Sequence, residues 1–240
     1  MKHLVLLGAL LCYSTVNATN YKPTPPVETV SSSMSSAEKK VRSATVKVVV
    51  PGGGHGTGAL IQYKDVQLII TAQHVADRIV GTNYLAVKGN ESILATLIYS
   101  NKNHDIAILY PTAPLRGATA IKYEPVKDYD VGTDIIYSGY PSHHKIMSFN
   151  GRIIGYEEVT GVGTQLIVNT YGWFGCSGAV VFDTKGRVIG VLYGVDVEYY
   201  PNIQVNENMI WVSPIKSIDI KEAIKPFCRG TLRDYKACRQ

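Results

Sequence analysis

Gly172-Trp173-Phe174-Gly175-Cys176-Ser177-Gly178-Ala179-Val180-Val181 places a serine between glycines, immediately ahead of an apolar run with strand character. A serine hydroxyl is a poor nucleophile unless a neighbouring base takes its proton. Chemistry at Ser177 therefore requires a histidine and a carboxylate elsewhere in the chain. Without them, the stretch is an ordinary tight turn leading into a strand, which these glycines serve equally well.

Outward from this stretch the chain is a series of short apolar runs separated by turn residues. Upstream lie Thr45–Val50, Gly56–Ile61, Val66–Ala72, Tyr84–Val87, Ile93–Tyr99 and Ile106–Leu109. A less patterned stretch, Pro111 to Ala120, connects two halves. Asp134–Tyr137, Ile146–Ile154 and Leu166–Val168 follow, then Ala179–Phe182, Val188–Tyr193 and Met209–Val212. Roughly twelve β-rich runs with turns between them predict an all-β chain, a sandwich or barrels. Only the end reads as a helix. Ser213-Pro214 suits a cap and first turn, Ile215, Ile218 and Glu222 to Ile224 follow at helical spacing, and Pro226 stops it.

Composition agrees with a packed β protein. Of 240 residues, 45% are hydrophobic and 22 are glycine, enough for a sizeable core and many tight turns. The net charge of +5 is spread along the chain, with no basic stripe interleaved with aromatics. Nothing here points to nucleic acid as a partner.

The first residues carry an address. Met1-Lys2-His3, the apolar run Leu4 to Leu11 and the small-residue site Val16-Asn17-Ala18 read as a signal peptide over 1–18. Their other reading is a buried strand or short anchor, although the run is too short for a comfortable membrane span. Export makes the mature chain secreted, periplasmic or extracellular, with no stable membrane anchor. Residues 19–40 are rich in Pro and Ser and read as a flexible linker. In an exported protein Cys228 and Cys238 form a disulfide; in a reducing compartment they are two free thiols. Closing that short loop contributes about 2–3 kcal/mol in the chain-entropy model. Cys176 is then the odd one out.

Three stretches upstream and within the opening segment carry the residues that Ser177 needs. Thr71-Ala72-Gln73-His74-Val75 ends an apolar run, Asn103-His104-Asp105-Ile106-Ala107 opens one, and Gly175-Cys176-Ser177-Gly178 holds the serine. With Gly56-Thr57-Gly58 they resemble the trypsin/chymotrypsin-like serine proteases. They are most similar to the compact DegP/HtrA-like branch of bacteria and their viruses. Intervals of 31 residues from His74 to Asp105 and 72 from Asp105 to Ser177 suit that branch. The resemblance spans about residues 42–225.

That resemblance implies two six-stranded antiparallel β-barrels, chymotrypsin-like, with a short C-terminal helix. Barrel one covers about 41–115, barrel two about 120–213, the helix about 214–225 and a tail 226–240, all within a protease domain of 41–225. It implies His74 as general base, Asp105 as its orienting carboxylate and Ser177 as nucleophile. The N–H groups of Gly175 and Ser177 would form the oxyanion hole, Gly175 taking the positive φ that turns amides inward. The substrate is then a protein or peptide, cleaved by a monomer that needs neither cofactor nor metal. Taken apart, His74 is a core or surface histidine and Asp105 a turn cap; together with Ser177 they read as a site.

Departures from the family are informative. Cys176 stands where digestive relatives carry an aspartate that pairs with a new amino terminus, so activation by a liberated terminus is not expected. Cys176 is also a rival nucleophile, but Ser177 holds the position directly before the glycine, and strand alternation turns Cys176 the other way. Arg78-Ile79-Val80-Gly81 imitates an activation site but lies inside the domain. Tyr171, Leu192, Tyr193 and Gly194 are the expected substrate-binding residues. Tyr171 is no acid, so small or medium apolar side chains fit better than Lys or Arg; the aromatics serve equally as core. The length leaves no room for the PDZ domain that many relatives append. His143-His144 lacks partners at ligand spacing and reads as a solvated loop, and Asn90-Glu91-Ser92 matches a glycosylation sequon. Two competing functions remain: an inactive peptide-binding pseudoprotease, and an esterase using the same three residues.

Overall fold

The computed structural model of the chain describes residues 32–199 and 201–239. The signal-peptide expectation and most of the linker expectation fall outside these residues. The first described element is a helix, α1 (Ser36–Ala44), which corrects the linker reading at its last five positions. Its cause is local. Ser35 accepts from the Glu38 amide while the Glu38 carboxylate accepts from the Ser35 amide, a capping box that satisfies two otherwise unpaired donors. Ala37, Val41 and Ala44 then bury one face. At the other end, Lys88 donates to the carbonyls of Arg42 and Thr45, satisfying acceptors the helix leaves open.

Six strands form the first barrel: β1 (Thr45–Val49), β2 (His55–Tyr63), β3 (Val66–Thr71), β4 (Asn83–Lys88), β5 (Glu91–Asn101) and β6 (Ile106–Pro111). Their order is β1-β4-β5-β6-β3-β2, and β1 pairs back onto β2 to close it. A two-residue strand, β7 (Ile121–Lys122), adds in parallel to β2 as the chain leaves. The second barrel uses β8 (Asp134–Gly139), β9 (Met147–Val159), β10 (Gly163–Asn169), β11 (Val180–Asp183), β12 (Val188–Glu198) and β13 (Gln204–Pro214). It closes in the order β10-β13-β12-β11-β8-β9. All pairings within the two barrels are antiparallel, as the alternating short runs require. Closure leaves neither sheet an open edge within its barrel.

Each barrel fills its own interior. Val46, Leu68, Ile70, Leu97, Ile106 and Ile108 are buried in one cluster, and Ile153, Leu166, Val168, Val181, Ile189 and Val212 in the other. Each such side chain contributes about 1.5–3 kcal/mol relative to exposure. Helix α1 reaches from the first barrel towards the second: Arg42 donates to the Ser148 hydroxyl (3.0 Å) and the Ile146 carbonyl (3.1 Å).

The C-terminal helix is shorter and starts later than the sequence suggests. Ser213 and Pro214 close β13 instead of capping a helix. After a 3₁₀ turn, Asp219 caps α2 (Ile220–Ile224) by accepting from the Lys221 amide. Pro226 sits at the start of a further 3₁₀ turn, where its missing N–H costs nothing. Cys228 and Cys238 are disulfide-bonded, with Cα atoms 5.3 Å apart. Asp65, at the turn between β2 and β3, accepts from the amides of Lys236 and Ala237 and ties the tail down. Among the described residues, no helix is long and apolar enough to cross a membrane.

Candidate active site

Antiparallel pairing of β3 with β6 sets Thr71 opposite Ala107. The residues just past the end of β3 therefore lie beside those just ahead of β6, which brings His74 to Asp105. Three hydrogen bonds join the two segments. The Asp105 carbonyl accepts from the Gln73 amide (3.1 Å). Its carboxylate takes the His74 amide on Oδ1 (2.7 Å) and meets His74 Nδ1 with Oδ2 (2.6 Å). An ionised carboxylate only accepts, so Nδ1 carries the proton, and in the neutral ring the lone pair is then on Nε2. Asp105 holds a left-handed φ of 49°, a conformation Asp tolerates better than most residues. The turn before it is braced by the His104 amide donating to Asn101. The His74 side chain is 47% exposed and that of Asp105 20%, so the ring opens to solvent while its anchor is largely covered.

The backbone of Ser177 lies against β2, next to the segment that carries His74. The Thr57 amide donates to the Ser177 carbonyl (2.8 Å). A Cβ on Gly56 would lie 2.4 Å from Val75 and 2.8 Å from the Ser177 carbonyl oxygen. Gly56 is thus the thin point where the segment holding His74 approaches the segment holding Ser177. Gly178, at φ 88°, is tighter still: an added Cβ would sit 2.2 Å from the Thr57 carbonyl oxygen.

The amides next to Ser177 are arranged by a turn. Cys176 donates to the Trp173 carbonyl (2.9 Å), with Gly175 at φ 94° in the third position. That is the type II form, which needs a positive φ there and so a glycine. The Phe174 carbonyl is held by the Ser142 amide at 2.6 Å. In a trans peptide the N–H points opposite the C=O, so the Gly175 N–H is turned away from Ser142. Gly175 and Ser177 thereby offer two backbone donors on one short stretch.

Cys176 faces the other way, into the second core, and is fully buried. Burial pushes its thiol up from the usual range, which keeps it in the unreactive protonated form.

The expected substrate-binding residues divide. Leu192 has its side chain in the second core, while its backbone bonds to Gly178 and Ala179. Tyr193 is the extra residue of β12 at the register shift with β13 and is half-buried. Burial and, after it, the Asp105 carboxylate push the Tyr193 hydroxyl up to about 12. Its ring lies 6.5 Å from Trp211, a neighbour that sequence reading missed. Gly194 sits at a register shift between β12 and β13. Tyr171 stacks on Phe149, which stacks on Tyr137, so its ring belongs partly to an aromatic column. Sequence reading also missed His55, Tyr140 and Ser142 beside the Gly175 turn. No local motif marks them, because long-range pairing brings them there.

Comparisons with known proteins agree with this fold. The model of a trypsin-like peptidase domain matches residues 56–191. No curated protein matches the chain in sequence. Among solved structures, a serine-to-alanine mutant of Rv3671c from M. tuberculosis H37Rv in its inactive form superposes with a TM-score of 0.61 at 16% identity, over 82% of this chain and 92% of that one. The active form of Rv3671c gives 0.62 at 18% identity, over 79% and 82%. The HtrA-type protease AlgW with a tripeptide gives 0.64 at 16% identity, over 78% of this chain and 62% of its own. The structural neighbours share the fold, and the family match spans more than half the chain, from Gly56 in β2 to Val191 in β12. The chain belongs to the trypsin-like peptidase family and is a serine-type endopeptidase.

Proposed function

We propose that the protein cleaves peptide bonds through an acyl-enzyme on Ser177, with His74 as general base and Asp105 as its orienting carboxylate. The observation that carries this reading is the double hold of Asp105 on the amide and Nδ1 of His74. It fixes the ring and its tautomer, leaving Nε2 as a base. Ser177 Oγ attacks the peptide carbonyl carbon as Nε2 takes the hydroxyl proton, and the carbonyl π pair moves onto oxygen. The Gly175 and Ser177 amides stabilise that oxyanion. The imidazolium then gives its proton to the leaving amine as the C–N bond breaks. Water, deprotonated by His74, releases the acyl group and restores Ser177.

The protein works as an exported monomer on protein or peptide substrates, without a metal or cofactor. The disulfide between Cys228 and Cys238 supports an oxidising compartment. Tyr171, Tyr193 and Gly194 contribute to substrate binding, with small or medium apolar side chains preferred at the bond cleaved. Incubating a peptide library with the wild type and with Ser177→Ala tests the whole reading. Fragments from the wild type alone support it. Ester hydrolysis without peptide cleavage would make the protein an esterase, and binding without turnover a pseudoprotease.

A further inference from the structure

We propose that Thr57 is a positioning residue for the oxyanion turn, a buried hydroxyl of the first barrel that clamps the Gly175 turn of the second. The inference rests on the assignment of Ser177 and Gly175 above. Thr57 lies in β2 between two glycines and is fully buried. A buried hydroxyl has one proton to donate and lone pairs to accept with. Here the hydroxyl donates to the Gly175 carbonyl (2.7 Å) and accepts from the Tyr140 amide (3.0 Å). The Thr57 amide donates to the Ser177 carbonyl (2.8 Å), and the Thr57 carbonyl accepts from the Thr71 hydroxyl (2.6 Å). One residue thus bonds to both residues whose amides would hold the oxyanion.

The bond to Tyr140 matters as much as the bond to Gly175. Type I and type II turns differ by a flip of the central peptide, here the one between Phe174 and Gly175. What opposes the flip is the Ser142 amide, which grips the Phe174 carbonyl. Ser142 itself holds a left-handed φ of 48°, so its segment must be kept in place by neighbours. Thr57 anchors that segment at the Tyr140 amide, and His55 Nε2 meets the Tyr140 carbonyl at 3.0 Å. Because His74 and Asp105 also belong to the first barrel, Thr57 registers the oxyanion turn against the base.

Thr57→Val keeps the branched shape and removes the hydroxyl, leaving the Gly175 carbonyl and Tyr140 amide without this partner. The expected kcat loss is about 10–100-fold, less than deletion of an oxyanion donor causes because the donor is displaced, not removed. KM should stay within about threefold, the signature of an interaction felt in the transition state. Affinity for a peptidyl boronate, whose adduct mimics the tetrahedral intermediate, should fall in parallel with kcat, and Thr57→Ser should restore both. A folded Thr57→Val with unchanged kcat and boronate affinity overturns the proposal, as does Thr57→Ser behaving like Thr57→Val. If Thr57→Val does not fold, proton NMR of the wild type decides. A slowly exchanging Thr57 hydroxyl proton supports the clamp, and a freely exchanging one overturns it. Peptide cleavage that survives Ser177→Ala would instead mark failure of the nucleophile assignment, and the NMR result would still decide whether the clamp exists.

Discussion

The Asp105 carboxylate spans the backbone and the ring of His74, one oxygen on the amide at 2.7 Å and the other on Nδ1 at 2.6 Å. The bond to the backbone sets where His74 sits; the bond to the ring sets which nitrogen is free. Asp105→Asn keeps the shape but presents an amide that can donate to Nδ1 and stabilise the wrong tautomer. We expect kcat to fall by about 10⁴-fold with the fold intact. Steady-state kinetics on a peptide substrate, with circular dichroism as the folding control, checks it.

Cys176 and Ser177 are neighbours with opposite surroundings. The thiol is fully buried and pushed up by that burial, so iodoacetamide should leave it unmodified in the native protein and alkylate it after denaturation. Cys176→Ala should keep kcat/KM within about threefold of the wild type. Mass spectrometry and peptide cleavage give the two readouts.

Burial pushes the hydroxyls of Tyr110, Tyr123, Tyr129 and Tyr193 up to about 12. In the unfolded chain tyrosine titrates near pH 10. The folded state therefore binds these protons more tightly, and their contribution to stability is complete below about pH 10 and lost as pH rises towards 12. Denaturant midpoints should fall between pH 9 and pH 11. Absorbance at the phenolate band should show these four ionising late, together with Tyr137, whose hydroxyl burial pushes well above the usual range.

Ser35 and Glu38 hold the start of α1 by exchanging hydrogen bonds. Ser35→Ala should destabilise the protein by about 1 kcal/mol. The Ser35 amide, and after it the Ser35 hydroxyl, hold the Glu38 carboxyl below its usual range. This contribution is therefore present above the ordinary glutamate range and fades as pH falls through the lowered value. Urea unfolding of wild type and variant at two pH values measures both effects.

The strand content and the pairing of His74 with Asp105 were legible because they rest on local patterns. Leu68-Ile69-Ile70 and Ile106-Ala107-Ile108 each read as strands, and antiparallel pairing then brings their ends together. Helix α1 was missed because serine and proline upstream masked a capping box that Ser35 and Glu38 spell out. That the Leu192 side chain points into the second core was not legible, because a run such as Val191-Leu192-Tyr193 does not say which residue faces inward. Thr57 was legible only as the middle of Gly56-Thr57-Gly58, with nothing to mark its hydroxyl. Its role comes from Gly175 and Tyr140, 118 and 83 residues away.

The most direct test of Ser177 as the nucleophile is covalent labelling by a fluorophosphonate, read by intact mass and peptide mapping. The wild type should gain one adduct on Ser177, and Ser177→Ala none, with His74→Ala strongly slowed. An adduct that survives in Ser177→Ala, or a folded wild type that takes up no label, would contradict the account.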